Sequence, residues 1–143
     1  MDFEPARPRY TLPFAGKDYE LLGTFALIEA VEYAMKEHVG RVAVAVVEAM
    51  PCHELVKLVA TILTACDHKM TTEKAGELLW ERVGLTGEAN DTLRLGIYSF
   101  LSICLAPPGQ REEKARTAGE LMGRLHGPAV SPGPTGDGSA SAS

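Results

Sequence analysis

The chain has 143 residues, of which 45% are hydrophobic and 23% are charged, and its formal net charge at pH 7 is −5. These values predict a single soluble globular domain. The net negative charge argues against a general nucleic-acid binder. Such proteins neutralise phosphates with clustered lysine and arginine, and the sequence has no basic stripe.

The cysteines and the longest uncharged run bear on the compartment. Cys52, Cys66 and Cys104 have no disulfide-framework spacing, which predicts reduced thiols and a cytoplasmic protein. The longest uncharged run covers residues 95–110, but prolines interrupt it, so its helical part is too short to span a bilayer. We therefore expect no interaction with a membrane.

The N-terminal third predicts a hairpin that leads into a helix. Residues 1–9 contain two prolines and balanced charge, which is typical of a flexible lead-in. Apolar and aromatic runs then flank Ala15-Gly16-Lys17-Asp18, which predicts a β-hairpin turn because Gly16 can adopt a positive φ. Thr24 is placed to cap a helix from Phe25. The predicted apolar face of this helix has a period of about 3.6 and consists of Leu27, Ile28, Val31, Met35 and Val39.

Four further helices are predicted downstream. Val42–Met50 is rich in β-branched residues and fits a strand or a short buried helix; we favour the helix, ended by the proline at position 51. Cys52–Asp67 has a clear helical stripe, and the next helix begins at Thr71 or Thr72 and ends at a glycine, residue 84. The fourth of them, Thr92–Ala106, is predicted to be capped by Asn90 or Asp91 and is apolar around almost its whole circumference.

The predicted fold is therefore mainly α, with an N-terminal β-hairpin followed by a bundle of about five amphipathic helices in residues 10–106. Residues 107–126 are predicted to be a proline-linked amphipathic helix. Residues 127–143 are rich in glycine, proline and serine and predict a disordered C-terminal tail, because they bury too little apolar surface to offset chain entropy.

The residues that could carry chemistry give a weak signal. Cys52-His53 and Cys66-x-His68 could be combined into a zinc site, but neighbouring residues on a helix point about 100° apart, and Cys66 lies on the core stripe. Glu29, Glu32 and Glu37 fit the solvated face of a helix. No phosphate-binding loop, dinucleotide fingerprint or nucleophile elbow is present. We expect no enzymatic activity and no cofactor.

Two helices offer candidate partner-binding residues. Trp80 lies about 120° from the centre of its helix stripe, so it either widens the core face or is a partly exposed anchor. Tyr98 lies on the nearly all-apolar helix 92–106, which is either a central buried helix or a self-association surface of a homo-oligomer. The apolar side of the proline-linked helix adds Leu121, Met122 and Leu125.

The order of these elements resembles a known family. The segments that carry the resemblance are Tyr10-Thr11-Leu12, Leu27-Ile28-Glu29, the apolar run LVKLVATILTAC and Thr71-Thr72-Glu73. Together they are similar to the tail assembly chaperones of long-tailed phages and gene transfer agents, over roughly residues 10–83. The resemblance implies a non-enzymatic protein that binds the tape measure protein in the host cytosol during tail assembly.

Three segments depart from the family pattern: the helix 92–106, the helix 111–126 and the tail. They leave open a structural minor tail or connector protein that is retained in the particle.

Overall fold

The computed structural model describes the backbone of residues 7–125 and the side chains of residues 7–120. The chain is mainly helical with an N-terminal antiparallel β-hairpin, which confirms the predicted fold class. The strands are β1 (Arg9–Phe14) and β2 (Lys17–Leu22). The helices are α1 (Phe25–Met35), α2 (Val39–Glu48), α3 (Cys52–Ala65), α4 (Thr72–Leu78), α5 (Glu88–Leu105) and α6 (Arg111–Leu125). The predicted tail and most of the predicted lead-in lie outside the described residues.

The hairpin turn consists of two residues. Ala15 and Gly16 both have positive φ, 56° and 81°, as the two-residue turns that match strand twist require. Lys17 therefore pairs with Phe14, and Asp18 with Pro13. The prediction that Lys17 and Asp18 belong to the turn is wrong, because strand pairing resumes directly after Gly16.

One face of the hairpin forms part of the core. Tyr10, Leu12 and Phe14 alternate with more exposed residues along β1, as expected for a half-buried strand. The hairpin packs on α5, where the rings of Tyr10 and Phe100 lie 6.0 Å apart between centroids. The hairpin is thus joined to the longest helix that the structure describes.

The first helix begins as predicted but ends earlier. The hydroxyl oxygen of Thr24 accepts a hydrogen bond of 3.1 Å from the backbone N–H of Leu27. The helix ends at Met35 because Lys36 adopts the left-handed conformation, with φ 56°. Val39, predicted on the α1 stripe, instead begins α2, and its N–H donates to the Glu32 carboxylate at 2.9 Å.

Helix α3 packs against two of the other helices and against the hairpin. The ambiguous segment 42–50 is helical over most of its length, and α3 begins directly after Pro51. The main partners of α3 are α1 and α4. Its buried residues are Leu55, Leu58, Val59, Ala60, Ile62 and Leu63.

Helix α5 is buried on most sides, while Tyr98 and Leu105 remain exposed. It begins at Glu88 rather than near Thr92, and its N-cap is Gly87. The prediction of a cap at Asn90 or Asp91 is wrong, because the Asn90 amide is buried inside the first turns. The Nδ2 atom of Asn90 donates to the carbonyl oxygen of Gly84 at 2.9 Å, and its Oδ1 atom accepts from Nε of Arg94 at 2.8 Å. None of the described helices is long and apolar enough to cross a membrane.

Helix α6 packs on the rest of the molecule. It contacts α5 and β1. Ala115 and Ala118, on its predicted apolar side, are partly buried against the core. The Arg111 guanidinium donates to the carbonyl oxygen of Ala106 at 3.0 Å and so connects the start of α6 with the end of α5. The proline linker therefore returns α6 to the surface of the bundle.

Candidate functional site

Of the candidate residues whose side chains the structure describes, Trp80 is the most exposed. Helix α4 continues into a π-helix, Leu79–Val83, in which the N–H of Gly84 donates to the carbonyl oxygen of Leu79 at 2.7 Å. Single π-helical turns occur often at functional sites. Leu79 points into the core, whereas 70% of the Trp80 side chain is exposed. Of the two alternatives for Trp80, the structure has the exposed one.

The residues after Trp80 extend this exposed surface. Glu81 and Arg82 are exposed, and Leu85 is an exposed apolar side chain just beyond Gly84. We call Trp80–Leu85 the Trp80 turn. A tryptophan beside an exposed leucine, with charged residues between them, has the composition of a protein-binding anchor with a polar rim.

A second exposed apolar surface lies on α1 and was missed by the sequence reasoning. Phe25 is 75% exposed and Tyr33 is 87% exposed. Ala26, Glu29 and Ala30 lie between them on the helix surface away from the buried Leu27 and Val31, and we call these five residues the α1 outer face. The signal was present in the sequence, because Phe25 and Tyr33 are off the core stripe, but only the glutamates of that side were considered.

Tyr98 lies at a groove between α5 and α6. About a third of its side chain is exposed, and the groove, of about 650 Å³, has a mixed polar and apolar lining. Ser99 and Ser102 come from α5, and Lys114 and Thr117 from α6. Tyr98 is therefore separate in sequence and in setting from the Trp80 turn, and the structure does not place the two in one pocket.

The other three candidate residues belong to the last turns of α6. Leu121, Met122 and Leu125 lie within its backbone range, but their side chains are outside the described residues. Because Ala115 and Ala118 are seven residues before Met122 and Leu125, the two pairs share one helical stripe by spacing.

The cysteines and histidines are dispersed. Burial raises the pKa of the Cys104 thiol to about 12, opposed by the nearby Arg111 guanidinium. Burial also raises the pKa of Cys66, whose sulfur accepts a hydrogen bond of 3.4 Å from the N–H of Leu22. His68 contacts the carbonyl oxygen of Glu20 at 2.8 Å. Within the described part of the chain, no three histidine, cysteine or acidic residues are grouped to hold a metal ion.

Among the described residues, the candidate site therefore consists of exposed aromatic and apolar side chains, namely Trp80 and Leu85 in the Trp80 turn and Phe25 and Tyr33 on α1. Comparisons with protein-family models, with curated proteins and with solved structures gave no match for this chain.

Proposed function

We propose that this protein is a non-enzymatic tail assembly chaperone of a phage or gene transfer agent, and that it binds the tape measure protein in the host cytosol during tail assembly. The starting point is the resemblance over roughly residues 10–83. The observation that carries the proposal is the exposure of large aromatic side chains, above all Trp80, on a small domain of net charge −5.

The physical need for such a chaperone follows from the shape of its partner. A very long helical protein exposes apolar stripes until the tail tube closes around it, and exposed stripes of this kind promote aggregation. A small acidic domain that covers a stripe with a few aromatic side chains keeps the complex dispersed by its charge.

Trp80 is the best candidate anchor for three reasons. It is largely exposed, so its indole has apolar surface to bury on binding. Its neighbour Leu79 is buried in the core, which fixes the backbone that presents it. Tryptophan is also the residue type that most often dominates binding energy in interfaces. The α1 outer face is a second contact surface of the same chemistry.

The test is co-expression with the tape measure protein encoded beside this chain, with the soluble and co-purified amounts of that partner as readouts. We expect the wild-type chain to keep the partner soluble and to co-purify with it, and Trp80→Ala to abolish both. Lys74→Ala is the matched control, because Lys74 is exposed on the preceding helix α4, lies outside the Trp80 turn and lacks an aromatic side chain.

Two results would overturn the proposal. One is a tape measure protein that is equally soluble without this chain and never co-purifies with it. The other is the chain itself in purified particles at a fixed stoichiometry, which would make it a structural minor tail or connector protein.

A further inference from the structure

Two exposed aromatic side chains lie on one stripe of α1. Phe25 and Tyr33 are 75% and 87% exposed, and Glu29 lies between them at the spacing of one helical stripe. Eight residues of an α-helix rise by about 12 Å, so the two rings are roughly two turns apart. The opposite side of the helix is fixed, because Leu27 and Val31 are buried and α1 packs against α3. The α1 outer face therefore presents its rings without a cost of ordering the helix that carries them.

A shallow hollow lies along the α1 outer face. Its volume is about 610 Å³, and it is lined by Ala26, Glu29, Ala30, Glu32 and Tyr33. The two alanines leave a groove between larger side chains, into which the ridge of a second helix can pack. The hollow is too open to bury most of a small molecule, which a small-molecule site requires. Its shape therefore suits a helix laid against α1.

The charge of this surface selects the kind of helix. The two charged residues that line the hollow, Glu29 and Glu32, are both acidic, and α1 itself contains no basic residue. The Glu32 carboxylate accepts from the N–H of Val39, whereas Glu29 makes no hydrogen bond or ion pair within the described part of the chain. The complementary group opposite Glu29 is therefore a lysine or an arginine.

The same charge disfavours a second copy of this chain as the occupant. In a symmetric dimer through the α1 outer face, residues at the two-fold axis meet their own copies. Glu29 is the midpoint of the stripe between the two rings, so the two Glu29 carboxylates would approach one another. Like charges that face each other suppress association. The occupant is therefore a different protein.

We propose that the α1 outer face docks an amphipathic helix of the partner protein, in which one lysine or arginine lies between two apolar side chains about two turns apart. The apolar side chains pack against Phe25 and Tyr33, and the basic residue pairs with Glu29. The inference rests on the proposed function, because it takes the tape measure protein as the partner. It adds the surface and the chemistry that select the bound segment.

The first test maps the contact by photocrosslinking in cells that co-express the full chain and the tape measure protein. The amino acid p-benzoylphenylalanine replaces Tyr33, and the control position is Val47, which is exposed on α2. We expect position 33 to crosslink to the tape measure protein and position 47 not to do so. Mass spectrometry of the crosslinked peptide should identify a lysine or arginine with apolar residues three or four positions away on both sides.

The second test changes the charge at position 29 and measures the affinity of the purified chain for the tape measure protein. Glu29→Lys should weaken binding about tenfold, because it replaces an attraction by a repulsion, and Glu29→Gln should make binding less sensitive to salt. Glu48→Lys is the matched control, because it makes the same charge change at an exposed position of α2. Binding by the Glu29→Lys chain should recover when the crosslinked basic residue of the partner is changed to glutamate. Melting temperatures of the variants establish that each is folded.

Three outcomes would overturn the inference. The first is equal affinity of the Glu29→Lys and Glu48→Lys variants while Trp80→Ala still abolishes binding; the proposed function then stands and the α1 outer face has no part in it. The second is a crosslink from position 33 to a segment without a basic residue, or to a second copy of this chain. The third is a wild-type chain that does not bind the tape measure protein, which overturns the proposed function as well.

Discussion

The guanidinium of Arg94 on α5 donates a hydrogen bond of 2.9 Å to the carbonyl oxygen of Met50, just past the end of α2. The same Nη1 atom also donates to the carbonyl oxygen of Val46 at 3.0 Å, and Nε donates to the Asn90 side chain. One arginine thereby satisfies carbonyl groups at a helix end that the helix itself leaves without partners. It also ties α2 to α5, the two helices with the most extensive mutual packing in the described chain.

Arg94→Met should therefore lower the free energy of unfolding by about 2–3 kcal/mol, because it leaves the two carbonyl groups and the Asn90 amide without their charged donor. Methionine keeps much of the apolar stem. Urea unfolding measures the effect, and Arg41→Met is the control, because Arg41 is exposed on α2. A loss no larger than that of the control would show that the hydrogen bonds contribute little.

A second prediction concerns the core of α3. Ile62 is fully buried, so Ile62→Ala should cost about 2–5 kcal/mol through lost burial and the cavity left behind. His53→Ala on the same helix is the control, because 81% of the His53 side chain is exposed, and it should change stability by less than about 0.5 kcal/mol. Chemical denaturation of both variants checks this. A cost below about 1 kcal/mol for Ile62→Ala would contradict the burial of Ile62 in the core.

The local rules that predicted the fold succeeded where one residue decides the geometry. Thr24 caps α1 as predicted, and Thr71, one of the two predicted alternatives, caps α4; each hydroxyl oxygen accepts a hydrogen bond from the N–H three residues later. Gly16 lies in the hairpin turn and Gly84 ends the π-helix, both with positive φ. Such signals depend only on residues close in the sequence, so they can be recognised without knowing which elements pack together.

The features that escaped prediction depend on residues far apart in the chain. Asn90 looks like a helix cap by type, yet it is buried because its amide pairs with Gly84 and Arg94, and Arg94 in turn reaches Met50, 44 residues away. The exposure of Trp80 also could not be decided from its helix angle alone. It depends on whether another element packs against that side of the helix, which the helix angle of one residue does not show.

A third prediction follows from the close approach of Gly23 and Cys104. A methyl group at position 23 would lie 2.8 Å from the Cys104 sulfur and 2.9 Å from Cγ of Pro8. Gly23→Ala should therefore destabilise the protein by about 1–3 kcal/mol through overpacking. The double variant Gly23→Ala, Cys104→Ala should recover part of that loss, because the smaller side chain makes room. Denaturation of the two single variants and the double variant gives the coupling energy, and strict additivity would contradict the contact.

A fourth prediction concerns the stability of the protein at alkaline pH. Burial raises the pKa of the Cys104 thiol from 9.0 to about 12, so the folded protein keeps this proton after the unfolded chain has lost it. The stabilisation is complete below pH 9 and is lost as the pH rises from about 9 towards 12, by up to about 1.4 kcal/mol per pH unit. Cys104→Ala should remove this contribution, so its stability should fall less than that of the wild type between pH 8 and pH 10. Other groups that ionise in this range are common to both proteins and cancel in the comparison. Parallel slopes would contradict the prediction.

The last prediction separates binding from stability at two neighbouring residues. Trp80 is 70% exposed, so Trp80→Ala should leave the melting temperature within about 2 °C of the wild type while it removes binding to the proposed helical partner. Leu79 is buried, so Leu79→Ala should cost about 2–5 kcal/mol and lower the melting temperature clearly. At a temperature where the Leu79 variant is still folded, it should retain binding, because its side chain does not reach the surface. Thermal unfolding and co-purification, measured on both variants, test the two effects separately. A Trp80 variant that loses binding only because it unfolds would show that the indole supports the fold and not the interface.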